Sequence, residues 1–316
     1  MNDADARVAW FHCFAGIAGD MALGSLLDAG AELAEIVEIL HRLPVVGWEL
    51  DTETVLRSGI SCTRAVVHVR ADDTTQRTAA QVASLVRTAA LPARVEQRAL
   101  AVFGALADAE GRVHHQAPHD VHFPEVGAHD AIVDVVGTAA ALEVLGIDAV
   151  AASPVAVGTG TVAGAHGTLP NPAPAVVRLL EGAPTYGRPL PLELTTPTGA
   201  AILRALATSY GPMPAMTVTG SGYGAGSADL DGLPNCTQVV VGTASAEGPG
   251  PGHPVTVLET NLDDATGEQL ADALAALLDG GALDAWVTPA VMKKGRPGQV
   301  LHALCDPSRA DALRAV

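Results

Sequence analysis

Residues 244–254 read ASAEGPGPGHP. Small residues interrupted by Gly and Pro carry no apolar periodicity and cannot sustain a helix or a strand. The stretch therefore predicts a chain folded as two units: a larger one over residues 1–243 and a smaller one over 255–316, joined by this linker. Order within the smaller unit is strand (255–259), helix (267–278), strand (285–290), strand (299–305) and the start of a second helix from Ser308. That is the beginning of a β-α-β-β-α-β, ferredoxin-like unit without its last strand, so the expectation is either that the pairing strand comes from elsewhere or that this chain is shorter than the full protein.

The larger part mixes both periodicities, and the expected class is α+β, a mixed α/β chain. Residues 7–14 (RVAWFHCF) predict a short buried strand, broken at Gly16 and Gly19 before a helix that opens at Asp20 and closes at Gly30. Leu33, Ile36, Val37 and Leu40 continue with helical spacing. Two strands are expected around Ser58-Gly59, two helices broken at Leu91-Pro92, and one helix near 131–145. Further on, AAILRALATSY predicts a helix, and the strands MTVTG and CTQVVVG are expected to flank a glycine loop, GSGYGAGSADLDG.

Composition narrows the function. The 316 residues carry 18 Lys+Arg against 35 Asp+Glu, a net charge of −17, which opposes nucleic-acid binding by bulk electrostatics. Aromatic residues make up only 3%, so a base-stacking surface is not expected. Cys13, Cys62, Cys236 and Cys305 form no C-x-x-C pair, which fits free thiols in a reducing cytoplasm. No apolar run has the roughly 20 residues that a membrane-spanning helix requires, and no membrane partner is expected.

Two regions concentrate ligand chemistry. Five of eleven histidines, His114, His115, His119, His122 and His129, lie among Glu125, Asp130 and Asp134. Imidazole and carboxylate are ligands for nickel, zinc or manganese, and two aspartates four apart at a helix start share one face. In the smaller part, Lys293, Lys294 and Arg296 sit between two strands while Asp263 and Asp264 precede a helix. Clustered cations in an acidic chain suit a triphosphate and clustered carboxylates its divalent metal; a solvated hairpin tip and an ordinary first helical turn are the plain alternatives. HCFAGIAGDM places Cys13 and Asp20 around a glycine turn, where core packing and helix capping are the plain readings. Turns at Gly158–Thr161, Thr195–Gly199 and Gly222–Gly226 offer backbone donors, and none has Walker A or dinucleotide-fold spacing.

The stretches HCFAGIAGDMALGSLLDAG, VHFPEVGAHDAIVDVVG, HGTLPNPAPAVVRLLEG, ELTTPTGAAIL, GYGAGSADLDGLPN, ETNLDDATGE and TPAVMKKGRPG occur in this order. Together they resemble the LarC family, the nickel insertases of nickel-pincer cofactor biosynthesis. His12 stands where that family usually has Asp, and Pro124 where it usually has His. The resemblance implies a lyase-class nickel chelatase that inserts nickel into pyridinium-3,5-bisthiocarboxylic acid mononucleotide using CTP with manganese or magnesium. Nickel would be held by two sulfurs and by the ring carbon between them, which must lose its proton.

On that reading Glu125, Asp130 and Asp134 are the expected catalytic carboxylates. His119, His122, Glu125, Cys13 and Asp20 are the expected nickel contacts. Thr196, Thr198 and Gly199 would hold the substrate phosphate, Lys293, Lys294 and Arg296 the CTP phosphates, and Asp263 and Asp264 the accompanying metal. A cytoplasmic homo-oligomer is expected. The competing reading is a non-catalytic nickel carrier, in which the histidine cluster stores metal and hands it over.

Overall fold

The computed structural model describes residues 6–69, 77–123, 129–164, 167–245 and 255–316. The chain divides into two compact units, Met1–Gly248 and Pro249–Val316, and it is mixed α/β. Among the described residues no helix is long and apolar enough to cross a membrane.

The first unit opens with β1 (Arg7–His12), α1 (Gly19–Asp28) and α2 (Leu33–Leu40). The hairpin β2 (Trp48–Arg57) and β3 (Ile60–Val69) turns at Ser58-Gly59, where both residues have positive φ. Next come β4 (Arg77–Thr78), α3 (Ala79–Thr88), α4 (Ala93–His114), β5 (His122–Phe123) and α5 (His129–Val144). The short strands β6 (Ala149–Ala152), β7 (Val155–Val157), β8 (Thr161–Gly164) and β9 (Gly167–Pro170) lead to α6 (Pro174–Leu179) and β10 (Thr185–Gly187). The unit closes with α7 (Pro197–Leu206), β11 (Ala207–Tyr210), β12 (Met216–Ala225) and β13 (Cys236–Ala244).

Seven strands form one mixed sheet in the order β11-β6-β1-β13-β12-β3-β2. β1 runs parallel to β6 and antiparallel to β13, so it is bonded on both sides. The period of two sorts its residues: Ala9, Phe11, Val239 and Val241 join the large helix-covered core, whereas Trp10 and Val240 form a small cluster with Ala151. The large core is built mainly from Ala, Val and Leu, as the scarcity of aromatics requires.

Two sequence expectations are corrected here. The helix expected through Tyr210 ends at Leu206, and Ala207–Tyr210 is strand β11, parallel to β6. Thr208 Oγ1 donates to the Val150 carbonyl at 3.0 Å, so strand pairing outweighs the helical spacing. The glycine run is not a loop throughout: β12 extends through Gly220, Gly222 and Gly224 to Ala225. A Cβ at Gly224 would lie 1.8 Å from the Met21 carbonyl oxygen, and one at Gly222 would lie 2.2 Å from that of Ser25. These glycines let α1 lie directly on the strand; a ligand is not what approaches them.

The second unit comprises β14 (Thr256–Leu262), α8 (Gly267–Asp279), β15 (Asp284–Met292), β16 (Arg296–Cys305) and α9 (Ala310–Leu313). β14 and β15 each pair antiparallel with β16 between them, in the order β14-β16-β15, which is a split β-α-β arrangement. Thr266 and Gln269 close a reciprocal capping box at the start of α8. Leu277, Ala303, Cys305, Ala310 and Leu313 form this unit's own small core.

Candidate functional site

Beyond the carboxyl end of β1 the chain makes a tight turn into α1. Gly16 has φ +89°, and a Cβ there would fall 1.9 Å from the Leu194 carbonyl oxygen. The Thr196 N–H donates to the Ile17 carbonyl at 3.1 Å, tying this turn to the segment that opens α7. Thr196 caps α7, its Oγ1 accepting from the Gly199 N–H at 3.2 Å. A Cβ at Gly199 would sit 2.1 Å from the Ile17 carbonyl oxygen, so this glycine lets α7 begin against the α1 turn. One at Gly19 would meet Asp134 Oδ2 at 2.8 Å and Thr198 Cγ2 at 2.9 Å. The starts of α1 and α7 and the first turns of α5 therefore meet at one place.

Between them lies a cleft of about 370 Å³. Asp20 from α1, Asp130 and Asp134 from α5, Thr198 from α7 and its cap Thr196 line it, together with Arg64 from β3 and with Glu193. Asp20 Oδ1 accepts from the Met21 N–H at 2.8 Å, and Asp130 Oδ1 from the Ala131 N–H at 2.9 Å. Each carboxylate thus sits at the positive end of its own helix. Asp134 differs: its Oδ1 is shut off from solvent and has no hydrogen-bond partner among the described residues. Burial first, then the charges of Asp20 and Asp130, push its carboxyl well above the ordinary aspartate range. Burial also raises Asp20, opposed by the Met21 N–H and by Arg64.

The raised Asp134 makes stability pH-dependent with a definite sign. The folded chain holds this proton to higher pH than the unfolded chain, so stability is full below the ordinary aspartate value and falls as pH rises through the folded one. Asp134→Asn removes that penalty. Thermal melts are expected to show the variant more stable than wild type at pH 7 and level with it near pH 3.5; a variant less stable at pH 7 would contradict the assignment.

The other candidates lie apart from this cleft. Cys13 is fully buried, its Cys13 N–H donating to Ser153 Oγ at 2.9 Å, and burial drives its thiol far up. His119 is exposed in the short turn before β5, its Nε2 3.4 Å from Asp120 Oδ2. His122, also exposed, pairs with Thr78 in the β4–β5 ladder. Neither histidine lines the cleft. Glu125 lies outside the described residues. His129 is buried at the start of α5, 3.0 Å from Arg77 Nη2. Among the described residues no three His, Cys, Asp or Glu side chains stand close enough together to hold a metal ion, the three cleft aspartates included.

In the second unit, β14 ends at Leu262 opposite Gln299, and β15 and β16 continue beyond that row to the Met292–Arg296 pair. Asp263 and Asp264 follow β14, and Lys293 and Lys294 form the turn between β15 and β16. These residues, Arg296 and the capped start of α8 thus share one end of the sheet, and all five charged side chains are exposed.

Arg64 and Glu193 were not legible as site residues. Arg64 stands in an alternating strand and looks like any solvent-facing charge; only the packing of α1 and α5 beside β3 makes it a cleft wall.

A family model described as nickel insertion protein matches residues 9–316. A protein of Nocardioides sp. named pyridinium-3,5-bisthiocarboxylic acid mononucleotide nickel insertion protein is 47% identical over 308 residues, covering 97% of this chain and 77% of its own length. A protein of Geobacillus kaustophilus with the same name is 40% identical over 314 residues, covering 94% of this chain and 76% of its own length. No solved structure matches. A family match across nearly the whole chain, together with relatives this similar, places the chain in the nickel insertion protein family.

Proposed function

We propose that this chain is a chelatase that inserts nickel into pyridinium-3,5-bisthiocarboxylic acid mononucleotide, and that the cleft between α1, α5 and α7 is where insertion takes place. The observation that carries this reading is the meeting of three aspartates at the starts of two helices, α1 and α5, one of them with a carboxylate oxygen shut off from solvent and without a hydrogen-bond partner among the described residues. Nickel arrives as cargo, and an acidic cleft draws a divalent cation from solution. Asp20 and Asp130 face it as hard, replaceable oxygen donors. The carboxylates stand too far apart to cage the ion, which suits a donor that must release it. The two thiocarboxylate sulfurs are softer ligands and take nickel from the oxygens.

Formation of the nickel–carbon bond breaks the ring C–H bond: its electron pair goes to the metal and its proton must go to a base. Asp134 supplies that base. A carboxylate whose pKa is raised by burial accepts a proton more readily than an exposed one and is shielded from water while doing so. Thr196, Thr198 and the start of α7 supply hydroxyl and N–H donors to an oxyanion of the substrate, with Gly199 keeping that helix start in place.

The residues at the end of the β14-β16-β15 sheet fit a nucleoside triphosphate with its divalent ion. Lys293, Lys294 and Arg296 present exposed cations and Asp263 and Asp264 exposed oxygen donors beside a helix start. Manganese- or magnesium-bound CTP is the nucleotide we assign there, and bound at this end it would supply phosphate binding energy or phosphate cleavage to the reaction. Lys293 and Lys294 neutralise phosphate oxygens, and Asp263 and Asp264 orient the cation.

Mass spectrometry of the bisthiocarboxylic acid mononucleotide after incubation with nickel, CTP and manganese tests the reading. The nickel-bearing product is expected with wild type, and the Lys293→Ala/Lys294→Ala variant is expected to need about a hundredfold more CTP, from two charge-assisted contacts. A protein that binds nickel yet never yields product, with or without CTP, is a carrier and not an insertase.

A further inference from the structure

The cleft sets Asp20, Asp130, Asp134 and Glu193 against one cation among its described lining residues, Arg64. Arg64 lies on β3 directly across from Glu53 on β2, and its Nη1 donates to Glu53 Oε2 at 3.4 Å. That pair engages only one corner of the guanidinium. Its Nε is shut off from solvent and has no hydrogen-bond partner among the described residues. A guanidinium holds its five donors in a fixed fork, and the Glu53 contact leaves donors of this cleft-lining side chain for an acceptor that arrives from outside.

We propose that Arg64 is the anion-reading residue of the cleft, its guanidinium edge taking an oxyanion of the pyridinium mononucleotide while the aspartates face the incoming nickel. This rests on the nickel-insertion reading above. The substrate named for the relatives carries phosphate and thiocarboxylate groups, and a guanidinium matches either in a two-point contact. An anion entering a space walled by four carboxylates is repelled unless a cation offsets them, and Arg64 is the side chain placed to do so. Thr196, the cap of α7, and Thr198 in its first turn extend the same anion-accepting wall. Arg64 lines the same cleft as Asp20, so its positive charge also opposes the entry of a second cation. Removing it therefore moves the two ligands in opposite directions, which loss of a purely structural ion pair would not do.

Calorimetry on the full chain tests this with nickel alone and with nicotinic acid mononucleotide alone, a pyridinium mononucleotide with a plain carboxylate. Arg64→Gln is expected to weaken the nucleotide about tenfold or more while tightening nickel severalfold. Arg64→Lys keeps the charge, loses the fork, and should fall between. Glu53→Gln breaks the cross-strand pair and should leave nucleotide affinity intact. Two further ligands locate the contact. If the Arg64 dependence disappears with nicotinic acid riboside the partner is the phosphate, and if it disappears with nicotinamide mononucleotide it is the ring carboxylate. Equal nucleotide affinity in wild type and Arg64→Gln, with nickel still bound, overturns the inference and leaves the nickel reading standing. Equal weakening by Glu53→Gln also overturns it, because strand pairing would then be the cause. Wild type that binds neither nickel nor nucleotide overturns the reading and the inference with it.

Discussion

Gly224→Val is expected to prevent the first unit from folding. The new Cβ would lie 1.8 Å from the Met21 carbonyl oxygen and 2.4 Å from the Ser25 nitrogen, both main-chain atoms of α1. No flexible side chain can give way, so the helix must lift from β12 as a body. Ordinary overpacking costs about 1–3 kcal/mol. Separating a helix from its sheet exceeds that, and more than about 4 kcal/mol is expected, a large part of the roughly 5–15 kcal/mol that holds a domain folded. Gly104→Ala is the matched control: it lies within α4, and its Cβ would meet nothing within 4 Å. That variant should gain about 0.5–1 kcal/mol from helix propensity. Soluble yield and thermal melting decide the matter; a Gly224→Val protein that melts with wild type would mean α1 does not sit on β12 as described.

The second large effect concerns chemistry. Asp134→Asn should fold at least as well as wild type, since it removes a buried charge, yet lose insertion by about 100-fold or more, the usual range for a missing general base. Asp130→Asn should cost less, because its carboxylate is exposed and serves the cation, not the proton. Single-turnover formation of the nickel product, followed against pH, separates the two roles. Loss of Asp134 removes the rising limb that its titration would give, whereas loss of Asp130 lowers the rate while leaving the profile's shape. A fully active Asp134→Asn would remove this residue from the mechanism.

The sequence made much of this visible and hid the rest for identifiable reasons. The β2–β3 hairpin was legible because Ser58-Gly59 punctuates two alternating runs, and α8 because Thr266 and Gln269 announce its start. Asp20, Asp130, Asp134, Thr196 and Thr198 could each be singled out as a helix-start residue. That they line one cleft could not be read from the chain, since residues near positions 20, 130 and 196 are brought together only by tertiary packing. Gly199 and Gly224 look like ligand-binding glycines in a linear motif; their purpose is set by main chain from elsewhere, the turn before α1 at Gly199 and α1 itself at Gly224. The histidine-rich run was the most conspicuous composition signal, but His119 and His122 line a different surface from the three aspartates. Composition reports which ligands are near one another along the chain, and not which way they point.

The position of β1 has a consequence for how this protein is made. Arg7 pairs with Thr243 and Val8 with Ala149, so β1, made early, is bonded on one side by a strand from mid-chain and on the other by one close to the end of the first unit. Contacts this distant in sequence form slowly. For most of translation the edge of β1 and the apolar face of Ala9 and Phe11 wait without their partners, the exposed state in which chains aggregate or engage chaperones. Release of residue 244 from the exit tunnel, before the second unit has emerged in full, is then the step that commits the first unit to its fold.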